Sequence, residues 1–246
     1  MRSSEKLYRF HVENLRTIDT ALQRVTRSLR DAISRSDDET TFAFVRLYAL
    51  MLGAWAECRL SKLLYEPNAF NESERHCIRE RSTQFDRWSV TVEIAFRKHY
   101  HVPRATLSES TLSHSVYARY SSLVKMLNED LLPTIQLRNK LAHGQWRYPL
   151  NSEGDDVAQE QMDVLRNENL LSLQFKRKLL NYLSDVIHDL VVSRPTFERD
   201  FDDHYRAIVQ TRQNLRNRSF SSYIQKMRGK YKRGQEKRRR TAYGTD

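Results

Sequence analysis

Apolar positions along this chain recur every three or four residues and seldom every second one, which is the spacing of helices. From about Ser4 to Ser34, residues Leu7, Phe10, Leu15, Ile18, Leu22, Val25, Leu29 and Ile33 fall on one stripe. Ser36-Asp37-Asp38-Glu39-Thr40-Thr41 interrupts that stripe with capping residues. The next stretch, about 41–65, is apolar nearly all round, from Phe42 through Tyr48, Leu52 and Trp55 to Leu64, and such a helix belongs at the centre of a fold. Glu66-Pro67-Asn68 closes it, because proline disfavours helix at the residue before it. A third helix is expected over about 72–100. Val90-Thr91-Val92-Glu93-Ile94 alternates like a strand, but Phe85, Trp88, Val92 and Phe96 hold helical spacing across it.

The fourth helix, about 113–143, contains Pro133, which should kink it, and Gly144 follows it as a C-terminal cap. Residues 149–163 are acidic and polar and read as an exposed loop. A fifth helix is expected over about 167–192, ended by Arg194-Pro195, and a sixth over about 196–227. Together these elements predict an all-α, up-and-down bundle of about six helices, residues 1–225. A basic tail, 226–246, nearly lacks apolar residues and is expected to be flexible.

Charge sharpens this picture. The 246 residues carry a formal net charge of +11, which favours anionic partners such as nucleic acid. Arginine supplies 31 of the 42 basic side chains, and its planar fork suits phosphate. Cys58 and Cys77 match no zinc or disulfide spacing and read as buried thiols in a reducing compartment. The first residues lead into no apolar stretch, and the longest uncharged apolar run, Leu47 to Ala56, is too short to span a bilayer. The expectation is a soluble cytoplasmic protein.

Candidate chemistry concentrates in Leu137-Arg138-Asn139-Lys140-Leu141-Ala142-His143-Gly144-Gln145-Trp146. Arg138 and His143 stand at the end of a helical segment, among Asn139, Lys140 and Gln145, with no acid between Asp130 and Glu153. On an ideal helix a spacing of five turns two side chains about 140° apart. Convergence therefore requires the last turn to unwind, which Gly144 permits. RNA cleavage by transesterification needs a base for the 2′-hydroxyl proton, an acid for the leaving 5′-oxygen and a cation for the charged phosphorane. One His and one Arg cover two of these, and a second copy of the chain could supply the third, so a composite homodimer site is expected. No carboxylate cluster adjoins the motif, so neither a metal nor another cofactor is expected. A second pair, Arg199 to His204, encloses three acids that repel phosphate and reads as a solvated helix face.

At these residues the chain resembles the HEPN superfamily of helical bundles, whose nuclease members carry Arg, four to six residues, then His near a helix end. The apolar second helix with Trp55-Ala56-Glu57 is similar to that family as well. The resemblance implies a metal-independent endoribonuclease acting on single-stranded or tRNA-like RNA, in toxin–antitoxin or antiviral defence, with an antitoxin or regulatory partner. It implies that His143 transfers protons, Arg138 binds the scissile phosphate and Asn139 assists. One branch of the family has Tyr where this chain has Gln145, so regulation through that Tyr does not carry over. The alternative is a catalytically inactive helical RNA-binding or scaffolding module.

Around the motif, Glu57 either orients Arg138 through a bidentate pair or forms an ordinary surface ion pair. Lys140 and Gln145 are supporting candidates. Trp146 and Tyr148 either stack on a splayed base or, for Trp146, pack in the core. Arg228, Lys230, Lys232, Arg233, Arg238, Arg239 and Arg240 are candidates for contact with RNA backbone. His99 and His101, and the trio Glu198, Asp202 and His204, are weak cation candidates without a convincing ligand set.

Overall fold

Ser3 starts the first helix by accepting from the Lys6 amide, and α1 (Ser4–Arg35) then runs to a left-handed Ser36. Asp37 caps α2 (Asp38–Leu64) in the same way, through the Thr40 amide. The computed structural model describes residues 3–102 and 105–243, with side chains for all of these except 237 and 239–243. α1 lies along α2, whose Val45, Tyr48, Leu52, Trp55, Leu60 and Leu63 are buried. The helix that is apolar all round is thus the central one, because every face of it has something to cover.

The expected third helix is two: α3 (Glu72–Arg79) and α4 (Gln84–His99). Thr83 separates them by accepting from the Asp86 amide at 3.0 Å while its hydroxyl donates to the Asp86 carboxylate at 2.7 Å. That local cap competes with continuing the helix. Val90–Ile94 lies inside α4.

The fourth helix is continuous but not uniform. It comprises α5 (His114–Met126), a π turn (Leu127–Leu131) and α6 (Leu132–Ala142), with Pro133 in the first turn of α6. Proline offers no amide and its ring crowds the carbonyl four residues back, so the preceding turn widens instead of breaking. Arg212 pins the widened turn, reaching Asp130 at 2.5 Å and Glu129 at 3.1 Å.

The acidic loop is shorter than expected. An isolated antiparallel bridge joins Leu150 to Val157, and α7 (Gln159–Asn167) follows, burying Met162 and Leu165. Next come α8 (Leu170–Val192) and α9 (Arg194–Asn217), packed along each other, with Pro195 at the start of α9. The expected sixth helix breaks at Arg218, whose backbone is extended, and α10 (Phe220–Tyr243) begins beyond it. As far as residue 243 the expected tail is therefore helical, and the helix runs across residue 225. Phe220, Tyr223, Ile224 and Met227 hold α10 against the core, and Arg228 Nε donates to the Ile33 carbonyl at 3.1 Å. The Lys, Arg, Gln and Glu residues that follow are good helix formers and carry the helix onward.

The fold is all-α, with nine continuous helices among the described residues rather than about six. No helix among them is long and apolar enough to cross a membrane. Both cysteines are free, but Cys58 is half-buried and Cys77 exposed, because the short α3 buries only Ile78.

Candidate functional site

The Arg138–His143 motif closes α6, and a left-handed glycine finishes it. Gly144 has φ +77°, its amide donates to Leu141 O at 3.1 Å, and the Gln145 amide donates to Lys140 O at 3.0 Å. This is a Schellman cap, which satisfies carbonyls that a helix end leaves orphaned. Trp146 adds to it: its ring is half-buried against the core and its Nε1 donates to Leu141 O at 3.0 Å. The site role expected for Trp146 as a base platform is taken up by this packing, whereas Tyr148 stays exposed.

Arg138 is positioned by a close approach of two helices. A Cβ built on Gly53 of α2 would lie 2.4 Å from Arg138 Cβ and 2.7 Å from its Cγ. Only glycine leaves room for the stem of Arg138 to cross α2 there. The guanidinium then reaches Glu57, one turn along α2, with Nη2 at 2.5 Å from Oε2. The pair is made through one nitrogen rather than as a bidentate fork. With side-chain exposures of 28% and 42%, solvent screening limits its worth to about 1 kcal/mol or less. The free nitrogen, Nη1, donates to Asn139 Oδ1 at 3.1 Å.

His143 is exposed, and among the described residues its ring has no hydrogen-bonding or ionic partner. The last turn does not unwind to bring it toward Arg138. The His143 amide still donates to Asn139 O, and the chain departs from the helix only at Gly144. The Schellman cap keeps the turn wound by using its carbonyls. What links the two positions instead is Asn139. Residues four apart are neighbours on one helix face, so Asn139 shares a stripe with His143. Through Oδ1 it also accepts from Arg138 Nη1, so it touches the guanidinium from the stripe that carries His143.

Lys140 and Gln145 serve the loop. The Lys140 ammonium donates to the Leu150 carbonyl, and Gln145 Oε1 accepts from the Leu150 amide at 2.8 Å. Arg46, a buried arginine of α2, donates to Trp146 O at 3.3 Å. Burial lowers its pKa from the ordinary arginine value, with Glu168 opposing that shift. Loop and helix end are thus clamped from both α2 and α6. Sequence reasoning missed Arg46 and Gly53, although an isolated glycine inside a strongly helical stretch is itself a sign of close backbone approach.

A cavity of about 200 Å³ adjoins Glu57, lined also by His11, Tyr65, Arg79, Gln84 and Arg87. Gln84 Nε2 donates to Gly53 O at 3.3 Å, which leaves its Oε1 buried without a partner among the described residues.

The remaining candidates separate. Arg199 pairs with its neighbour Asp200, while His204 is tied to Asp189 of α8 at 3.1 Å, so it bridges two helices rather than facing solvent. Glu198 holds Arg194 and the Tyr100 hydroxyl, and burial followed by Glu198 pushes the Tyr100 pKa up to about 12. His99 Nε2 lies 3.4 Å from Val191 O. On α10, Lys230, Lys232, Arg233 and Arg238 are exposed and Arg228 is half-buried on α1. The side chains of Arg239 and Arg240 lie outside the described residues. No protein-family model, no curated protein and no solved structure matches this chain.

Proposed function

We infer that this protein is a HEPN-like, metal-independent endoribonuclease whose site centres on Arg138, Asn139 and His143. The observation that carries the reading is an anchored guanidinium and an unencumbered imidazole on the same helix end. Arg138 is fixed by Glu57 and Asn139, and His143, on Asn139's face of the same helix end, is exposed with no partner among the described residues. A fixed cation stabilises the phosphorane without reorganising when the charge develops. A solvent-reachable imidazole exchanges protons with the 2′-hydroxyl or the leaving 5′-oxygen. The cation, one proton acceptor and one proton donor make three groups, so the missing group comes from a second copy of the chain in a homodimer. The cavity beside Glu57, lined by His11, Arg79 and Arg87, leaves room for a base next to the site, and exposed Tyr148 offers a stacking face. The cationic face of α10 suits an RNA backbone, in keeping with a toxin or antiviral effector restrained by an antitoxin or regulator.

The test is incubation of the purified protein with single-stranded RNA and tRNA in EDTA, followed by analysis of the cleaved ends. The expected products carry 2′,3′-cyclic phosphate and 5′-hydroxyl termini, and His143→Ala abolishes them. Cleavage by His143→Ala at the wild-type rate would reject the assignment. The Glu57–Arg138 pair also suits a second reading, in which Arg138 merely ties α6 to α2 in an inactive RNA-binding module. That reading predicts salt-sensitive RNA binding without any cleavage.

A further inference from the structure

The opposite flank of α2 holds a second cavity, of about 360 Å³, between α1 and α8. On an ideal helix Gly53 and Glu57 lie about 140° and 180° round from Tyr48, which forms part of this cavity's wall. α1 supplies Arg27 and Arg30 from one stripe, and α8 supplies Gln174 and Arg177, one turn apart. No carboxylate lines it. Arg177 is held by Asp19 at 2.6 Å, and Asp19 is fixed in turn by the Trp55 indole at 3.0 Å. Arg27 and Arg30 have no acidic partner among the described residues, so two guanidinium charges are left uncompensated.

Tyr48 makes this more than a charged surface. The residue is 1% exposed, yet its hydroxyl has no hydrogen-bond partner among the described residues. That hydroxyl is not among the fully occluded unpartnered atoms, so the little exposure Tyr48 has is at the tip that meets the cavity. The hydroxyl is thus a donor that no protein group occupies, standing at the end of an otherwise buried ring and reachable only from the cavity. A ligand acceptor in the cavity can take that hydrogen bond without displacing a protein partner.

We propose that this cavity binds the terminal phosphate or diphosphate of a small nucleotide. Such a group brings two negative charges or more, matching the two unpaired guanidiniums, with several oxygens for their forks and for the Tyr48 hydroxyl. A phosphodiester within an RNA chain carries a single charge, and so leaves one of the two guanidiniums unmatched. The volume falls in the range of small-ligand sites, about 300–1,000 Å³.

The experiment is calorimetric titration of the full chain with inorganic pyrophosphate, a nucleoside diphosphate and a single-stranded RNA lacking terminal phosphates. One pyrophosphate binds per chain, and the nucleoside diphosphate competes for the same site. Arg30→Gln and Tyr48→Phe each weaken binding about tenfold or more, the size expected for one hydrogen bond to a charged group. Arg138→Gln leaves pyrophosphate affinity unchanged. Arg30 is exposed, so its variant tests the idea even if Tyr48→Phe does not fold. Binding of the RNA alone, retention of full pyrophosphate affinity in Arg30→Gln, or its loss in Arg138→Gln overturns the proposal, whatever the outcome of the RNA cleavage assay.

Discussion

On one flank of α2, Glu57 meets Arg138 at 2.5 Å; on the other, Arg27 and Arg30 face a cavity that no acid lines. Both flanks use arginine, and the difference lies in what has been settled in advance. Arg138 is threaded over Gly53, paired with a carboxylate and bonded to Asn139, so part of its charge is given up for a fixed position. Arg27 and Arg30 keep their charge and repel each other, and Tyr48 keeps its hydroxyl unpaired. A preorganised cation suits charge that develops during a reaction, while an uncompensated pair suits an anion that arrives whole.

The largest effect is expected at Gly53. Glycine to alanine inside a helix normally stabilises by up to about 1 kcal/mol. Here the added Cβ would sit 2.4 Å from Arg138 Cβ, on helices that cannot both stay in place. Gly53→Ala therefore destabilises by about 1–3 kcal/mol, the cost of overpacking, and under the proposed function it abolishes RNA cleavage by moving Arg138. Urea titration checks the sign. In an Arg138→Gly background the penalty shrinks, because the clashing Cβ and Cγ are gone. A stabilised Gly53→Ala protein would show that the two helices do not meet as described.

Gly144 provides the contrast on the same flank. A Cβ there meets nothing within 4 Å, so the cost is backbone strain at φ +77° alone, about 1–2 kcal/mol for alanine. Asparagine tolerates the left-handed region and recovers part of this. Equal midpoints for the alanine and asparagine variants in urea would mean that the cap contributes little.

A smaller effect distinguishes the flanks directly. Glu57→Gln removes the partner of Arg138 and lowers stability by at most about 1 kcal/mol; under the proposed function it also slows cleavage by up to about 100-fold through loss of position. Arg30→Gln does the reverse: without an anion it stabilises by a few tenths of a kcal/mol, since like charges one turn apart oppose the helix. Both shifts shrink in high salt. The same sign for the two substitutions at low salt would erase the contrast between the flanks.

The fold was legible where apolar periodicity was strong, as along α1 and α2. It was less legible where a few polar atoms decide. Thr83 with Asp86 splits α3 from α4, and an extended Arg218 splits α9 from α10; neither position interrupts the apolar spacing enough to be seen in it. α7 is short and mostly polar, so its two buried residues were lost in an acidic stretch. At the site, the Arg138–Asn139–His143 spacing and the Gly144 cap were readable, because they are local. Gly53 beneath Arg138, Arg46 against Trp146 and the Tyr48 cavity arise from helix packing between residues that can lie more than a hundred positions apart; the isolated glycine hints at a close approach, but no local pattern names the partner.

The smallest effect is a pH slope, and it starts at the Glu57 flank. Burial holds the His11 imidazole below its ordinary pKa of 6.5, and His11 stacks on Tyr65 with ring centroids 5.1 Å apart. Burial does the same to His99, against the opposing pull of the Val191 carbonyl. An imidazole with a depressed native pKa leaves the unfolded chain binding more protons once pH falls below about 6.5. The stability these two histidines contribute is therefore complete above that pH and is lost progressively as pH falls from it toward their native values. Glu198 and Asp200 are held below the ordinary carboxylate range by Arg194 and Arg199 and titrate below this window, whereas burial raises Asp130 against the pull of Arg212 and so opposes the slope. The urea midpoint should fall between pH 7 and pH 5.5, and the slope should flatten in steps with His11→Gln and then His99→Gln. A midpoint that rises over the same range, or a slope untouched in the double variant, would mean that neither ring is buried as its neighbours indicate.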